Sequence, residues 1–439
     1  MKELSAKIII VLMDIFAIAL ALMVAYMLCC IWGISFVEFS QENYMKYLTF
    51  YEVYMVIVAS FMYEKIYIKR YDFWHESRQV IKGLTLSFLI VLSILALTQT
   101  MADYSRAVII LAFLLMFLFI PMFKNITKKW LFKVGLWRHK IKMFKDTSFA
   151  EDEIMNNPYL GYVITKEDDA DTIFINAYDV KTEGLGKILS QEIMQNSEVL
   201  FIPRLRQFDL THTDVYQLSN EQTNLISLRN RLNSRYRIFL KQISDITLAI
   251  LITPLILPLI AFIAYKIKKE EPAGSVFFKQ ERLGQHGNIF TCYKFRSMRE
   301  DSDGILQAYL KEHPEEVENY KKYHKYENDP RITKIGDKLR RTSLDELPQI
   351  FNVYKREMSF IGPRPYMLNE KEKIGDALDT VLMVRPGITG LWQVSGRSEV
   401  DFHARVRLDV WYIRNWNLWM NFVILLKTVR TVLFRDGAS

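Results

Sequence analysis

Cysteine is scarce. Three occur in 439 residues: Cys29 and Cys30 are adjacent inside an apolar run, and Cys292 is alone. That excludes a disulfide framework and a Cys-x-x-Cys metal pair, ends any zinc reading, and suits a reducing compartment. Internal repeats and low-complexity tracts are also missing. Neither sign of charge dominates: 57 Lys and Arg against 49 Asp and Glu leave +8. An excess of that size is compatible with a membrane surface or phosphate-bearing ligands, and is no argument for nucleic acid. What the chain does have is apolar side chains. With 50% hydrophobic and 13% aromatic residues, it is too apolar to be disordered and unusually apolar for a soluble enzyme.

The apolar residues are clustered. Ile8–Trp32, interrupted by Asp14, is long enough to cross a bilayer. It exceeds the core of a signal peptide, and no small-residue cleavage site follows, so it is expected to be retained. Further runs cover about Tyr47–Tyr63, Val80–Thr100 and Ala107–Phe123. Four transmembrane helices are expected. Lys65, Lys69, Arg70, Arg78 and Lys82 follow the second run, and seven Lys or Arg from Lys124 to Lys142 follow the fourth. The loops Gly33–Lys46 and Met101–Arg106 hold one basic residue each, so both ends of the four-helix unit face the cytoplasm.

A fifth run, Ile246–Tyr265, contains Pro254 and Pro258 and has basic residues on both flanks, Arg229 to Lys241 before it and Lys266 to Lys269 after it. A full crossing would strand one basic flank outside. A helix that enters, bends at the prolines and returns satisfies both facts; a proline-kinked span is the alternative. Between the membrane unit and this run, short apolar segments (Thr172–Ile175, Val199–Ile202) alternate with helix-like stretches such as Gly186–Gln195, as in a small α/β domain. No Gly-x-Gly-x-x-Gly opens it, so no dinucleotide is assigned. The expected organisation is therefore an α-helical membrane protein plus α/β. Residues 1–125 form a four-helix transmembrane domain and 126–230 a cytoplasmic, degenerate Rossmann-like domain. Residues 231–439 form a catalytic α+β domain with a re-entrant helix at about 243–266.

The chemistry lies after that helix. Ser275–Leu283 and Asn288–Met298 read as two strands around Gly284–Gly287. Alternation puts Gln280 with Arg282, and Lys294 with Arg296, on common faces; an aligned register would make a basic patch suited to phosphate, and a solvated charged face is the alternative. The charged segment Asp303–Glu327, broken by Pro314, reads as a surface helix or a lid. Then come DPRIT with Arg331, the pair Arg340 and Arg341, and SLDELPQ. Pro348 favours a first helical turn, so Asp345 and Glu346 are expected at a helix N-terminus, where partial positive charge favours their ionised forms. An ionised Asp can attack phosphorus, and a neighbouring Glu can hold Mg²⁺. Ser343 with Glu346 could instead be a capping box. GPRP and RPG each fix an arginine, Arg364 and Arg385, in a rigid turn able to bind phosphate bidentately. Trp411, Trp416 and Trp419 among Arg414, Lys427, Arg430 and Arg435 suit a membrane interface, with a packed core helix as the alternative.

FFKQERLG, YKFRSM, DPRITKIGDKLRRTSLDELPQ, MSFIGPRP and VRPGITGLWQVSGR, in this order, resemble the bacterial sugar transferases, the polyprenyl-phosphate hexose-1-phosphate transferases. The resemblance spans about Tyr236–Ser439, and the segments before it resemble the large members. WQVSGR, WYIRNWNLWMNF and RDGAS look most like the galactose phosphotransferases among them. The resemblance implies that Asp345 attacks the sugar-linked phosphate of a UDP-sugar, releasing UMP, and that undecaprenyl phosphate then takes the phosphosugar. It implies Glu346 as the Mg²⁺-associated acid, with Lys294, Arg340, Pro363 and Arg364 around the phosphates. It also implies a re-entrant helix, a bacterial inner-membrane location with the catalytic domain cytoplasmic, lipid contact, galactose as the sugar and a homodimer as one arrangement. Arg282, Arg296, Arg331 and Arg385 join the expected phosphate-binding set. Arg356 departs from the pattern, since many members carry Gly in that turn before Met358 and Ser359. A non-catalytic scaffold or chain-length regulator would not need the SLDELPQ and GPRP series. A many-helix phosphosugar transferase would need about twice these spans.

Overall fold

The computed structural model describes residues 2–33, 40–99, 104–144, 154, 157–165, 170, 172–177, 182–195, 198–203, 214–218, 223–227, 235–313, 329–395 and 401–434. Two compact units divide it, Met1–Arg204 and Leu205–Ser439. In the first, the apolar runs form α1 (Lys2–Ile31), α2 (Gln41–Leu48), α3 (Tyr51–Tyr63), α4 (Phe73–Leu97) and α5 (Arg106–Val134). α1, α4 and α5 are long and apolar enough to cross a membrane. The second run corrects the expectation of four full spans: it is split between α2 and α3 at Thr49–Phe50, where the Thr49 hydroxyl donates back to the Met45 carbonyl at 2.9 Å. The 13 residues of α3 rise only about 20 Å, short of a hydrocarbon core of about 30 Å.

Small residues of α1 (Ala17, Ala21, Ala25) meet Val108, Ala112 and Met116 of α5 in one buried core, while Leu12, Phe16, Leu114 and Leu118 point outward. Asp14, the break in the first run, is buried against Lys124, at 2.6 Å, and accepts from the Tyr67 hydroxyl at 2.8 Å. Glu76 is buried with Lys128 and lies 3.7 Å from Lys124. Two acids and two lysines thus neutralise one another, as buried intramembrane charges must.

The next segment carries short strands and a helix. β1 (His139–Met143), β2 (Tyr162–Ile164), β3 (Thr172–Asn176) and β4 (Glu198–Ile202) form a parallel sheet in the order β2-β1-β3-β4, with α6 (Thr182–Gln195) between β3 and β4 in sequence. Arg70, after α3, lies 3.9 Å over the Trp137 ring and donates to the Leu160 carbonyl at 3.0 Å, fastening the sheet to the helices.

The second unit begins with the hairpin β5 (Asp214–Leu218) and β6 (Thr223–Ser227). α7 (Arg235–Glu270) follows as one helical element running through Pro254 and Pro258, and is the fourth helix long enough to span. Ile250, Leu251 and Leu255 in its middle are exposed, whereas Ile260, Ile263 and Ile267 join the core of the unit. That core is built on the antiparallel pair β7 (Phe277–Leu283) and β8 (Ile289–Phe295), α9 (Lys334–Thr342), a 3₁₀ turn (Leu344–Gln349) and α10 (Ile350–Tyr354), with α8 (Ser302–Glu312) between β8 and α9 in sequence. β9 (Ser359–Ile361) pairs in parallel with β10 (Gly387–Thr389), and α11 (Phe402–Asn415) and α12 (Leu418–Phe434) are the last elements among the described residues. The lid expectation beyond α8, the hairpin-flanking Arg229 and Arg231, Arg397 and the RDGAS ending lie outside the described residues.

The Trp-rich segment packs in part into the core. Trp416 is buried and donates to Asn421 at 3.2 Å, while Leu418, Phe422, Leu426 and Val429 form an exposed stripe along α12.

Candidate active site

The register of β7 and β8 decides which basic residues share a face. Gln280 lies opposite Cys292, Phe278 opposite Lys294 and Arg282 opposite Phe290, so Gln280, Arg282, Cys292 and Lys294 point to one side. The 3₁₀ turn Leu344–Gln349 brings its acids to Lys294. The Lys294 ammonium donates to Glu346 Oε1 at 2.6 Å and lies 3.9 Å from Asp345 Oδ2. Ser343 sits in the left-handed region at φ +55°, ending α9 and opening the turn in one residue. Its side chain makes no capping hydrogen bond, so the capping-box alternative is not what is built.

The electrostatic expectation also needs correction. Asp345 does start a short helical turn, but burial raises its carboxyl to about 6, and the Glu346 charge adds to the rise. Lys294 and Arg340 oppose it without cancelling it. Desolvation outweighs the weak dipole of so short a turn. Burial works against the charge of Lys294, yet Glu346 and Asp345 hold its pKa above the usual lysine value. Burial pushes the Cys292 thiol up to about 11, so the one cysteine on this face stays protonated.

The two rigid turns pack against each other through β9 and β10. Gly387 N–H donates to the Pro363 carbonyl at 2.8 Å and Gly362 N–H to the Thr389 carbonyl at 3.0 Å. A Cβ on Gly387 would stand 2.1 Å from the Gly362 nitrogen, so the approach needs glycine. Arg282, 7% exposed, donates to the Pro365 carbonyl at 3.0 Å and to Gln280 at 2.5 Å, joining β7 to the GPRP turn. Arg364 N–H donates to Asp409 Oδ2 at 3.1 Å, and its guanidinium lies 3.6 Å from Glu370.

Asp345, Glu346, Lys294, Arg340, Arg282, Pro363 and Arg364 therefore belong to one constellation; Arg340 donates to Ser297 at 2.8 Å, with its charge acting on Asp345. Three other expected phosphate binders face charged groups of the protein itself. Arg331 forks onto Asp329 at 2.7 and 2.6 Å, Arg296 lies 3.5 Å from Glu300, and the Arg385 charge interacts with Asp245 and Arg356. Sequence reasoning missed Asp409, which is fully buried on α11, accepts from the Tyr366 hydroxyl at 2.8 Å and is raised by burial to about 7. An acid inside the apolar, aromatic segment Leu408–Arg435 was the available signal.

Among the described residues, no group of three His, Cys, Asp or Glu is placed to hold a metal. Glu346, the acid expected to hold Mg²⁺, offers a single carboxylate, and that ion is commonly held by one or two carboxylates with phosphates and water completing its shell.

The family described as Bacterial sugar transferase matches residues 236–435, which enclose this constellation. An undecaprenyl-phosphate galactose phosphotransferase of Salmonella typhimurium is 34% identical over 405 residues, 85% of this chain and 84% of the relative. A UDP-galactose-lipid carrier transferase of Erwinia amylovora is 33% identical over 404 residues, with the same coverage. A UDP-glucose:undecaprenyl-phosphate glucose-1-phosphate transferase of Escherichia coli is 35% identical over 253 residues, 55% of this chain and 50% of the relative. Two relatives matched along most of their length, and a family match that encloses the acid pair and its cations, establish that this chain is a member of the bacterial sugar transferase family.

Proposed function

We propose that the protein transfers galactose 1-phosphate from UDP-galactose to undecaprenyl phosphate at the cytoplasmic membrane, starting a surface polysaccharide, with Asp345 as nucleophile. The observation that carries this reading is a desolvated carboxyl held 3.9 Å from a buried-side lysine inside a cluster of guanidinium groups. The Asp345 carboxylate oxygen attacks the sugar-linked phosphorus. The bond to the bridging oxygen breaks, and UMP leaves with its electron pair. A phosphate oxygen of undecaprenyl phosphate then attacks the same phosphorus and returns Asp345 as a carboxylate. Lys294 and Arg340 lower the cost of ionising Asp345, and Arg282 and Arg364 are the groups for the phosphates. Glu346, with phosphate oxygens, would hold Mg²⁺, which when bound neutralises phosphate charge.

Galactose is favoured over glucose because the galactose-named relatives align along 84% of their length, the glucose-named one from Escherichia coli along 50%. The re-entrant reading of α7 is supported by the fact that both its ends hold the same unit. Asp245 accepts from the Ser359 hydroxyl at 2.9 Å and Phe360 N–H at 3.1 Å, while Glu270 accepts from Lys334 and Ile335 N–H at 2.8 and 3.0 Å.

The test is UMP release in membranes from UDP-galactose and UDP-glucose, with undecaprenyl phosphate present or withheld. Asp345→Asn should stay folded and lose turnover, because the amide cannot form the phosphoryl ester. Near-normal UMP release by that variant would sink the assignment. A preference for UDP-glucose would overturn the sugar alone, and no release from any UDP-sugar would favour the scaffold reading.

A further inference from the structure

Beyond the Arg282–Arg364 pair, the same cluster of cations continues onto α11. Arg405 lies 5.1 Å over the Trp392 ring and Arg364 lies 6.0 Å from it, so two guanidinium groups flank one indole. Arg364 acts on both of its neighbours: after burial, it is the next cause of lowered pKa values at Arg282 and Arg405. Carboxylates also act here: Glu370 lies 3.6 Å from Arg364, Glu370 and Asp401 act on Arg405, and Asp409 is taken up by Arg364 N–H and Tyr366 and is half-protonated near neutrality. Two buried donors in this cluster, Trp392 Nε1 and Arg282 Nε, have no hydrogen-bond partner among the described residues. Buried donors without acceptors are costly, and clustered guanidinium groups repel; an anion rich in acceptor oxygens relieves both.

We propose that Arg405 and Trp392, together with Arg282 and Arg364, form a phosphate subsite of the transfer reaction. The ligand chemistry is a phosphate group of charge near −2, which either the UDP-sugar or undecaprenyl phosphate can supply. This inference rests on the proposed transfer reaction for its kinetic arms only. Arg405 touches the substrate phosphate as a binding residue, and Asp345 keeps the chemistry.

Three variants test it in the full-length protein in membranes: Arg405→Gln, Arg405→Lys and Trp392→Phe. Arg405 is only partly buried, so Gln opens no core cavity. Loss of one charge-assisted contact should raise KM about tenfold with kcat little changed, since tenfold is the effect of about 1.4 kcal/mol. Lys should restore part of the affinity, because it keeps the charge without the planar fork. The first arm measures UMP release from UDP-galactose without acceptor. The second varies undecaprenyl phosphate at saturating UDP-galactose. Whichever KM moves names the source of the phosphate. A third arm titrates UMP and inorganic phosphate against the Asp345→Asn protein, following protection from thermal unfolding. Protection that weakens with Arg405→Gln upholds the subsite even if turnover is absent, in which case the transfer reading alone fails. Unchanged KM values and unchanged protection in all three variants, or an equal fall in kcat with KM unmoved, would overturn the subsite.

Discussion

At Asp345 two opposing terms meet, and burial wins. A carboxyl raised to about 6 is half-protonated there, and only the ionised form attacks phosphorus. UMP release should therefore rise with pH through a midpoint near 6 and level off above it. Lys294→Met removes a cation that favours ionisation and should move that midpoint upward; a downward move would mean that the lysine does not act on this carboxyl. The identity of the acid was legible in SLDELPQ, but its protonation was not, because desolvation depends on the strand that β8 lays beside it. Arg356 shows the converse. The sequence marked it as the odd residue in its turn, and its φ of +60° gives the reason. Left-handed backbone costs an L side chain about 1 kcal/mol, so Arg356→Gly should raise stability by roughly that amount in chemical unfolding. Arg356→Val should lower it, and equal stabilities for the three proteins would remove the strain argument.

The places of the long helices could be read from the apolar runs, but their ends and interruptions could not. The second run looked continuous, yet the chain turns at Thr49–Phe50, where a hydroxyl bond to Met45 competes with the next helical turn. The strand pair around Gly284–Gly287 was recovered to within three residues at every end, because alternation and glycine punctuation are local signals. For α7 the sequence supplied the prolines and the basic flanks, and the structure adds the anchors at Asp245 and Glu270. Cysteines placed at the exposed Tyr236 and Lys269 positions, in a background lacking the native three, should react with an impermeant maleimide only from the cytoplasmic side. Labelling from opposite sides would establish a full crossing and end the re-entrant reading.

Across the whole molecule, contiguous motifs were legible and assembled charges were not. The SLDELPQ and GPRP series announced a site, whereas the pairing of Asp14 with Lys124 and of Glu76 with Lys128 joins residues far apart in sequence and leaves no local pattern. Asp14 showed in sequence only as an interruption of an apolar run. The network lies in the Met1–Arg204 unit, and its energetics follow from neutrality. Glu76→Gln leaves two buried lysines facing one acid, an imbalance expected to cost about 3–5 kcal/mol. Adding Lys128→Met restores the charge balance and replaces an ammonium by an apolar side chain of similar length, so the double variant should regain most of that loss. Thermal unfolding of the three proteins in detergent measures the difference. A double variant no more stable than Glu76→Gln would show that the two residues stabilise the bundle through packing, independently of the charge they exchange.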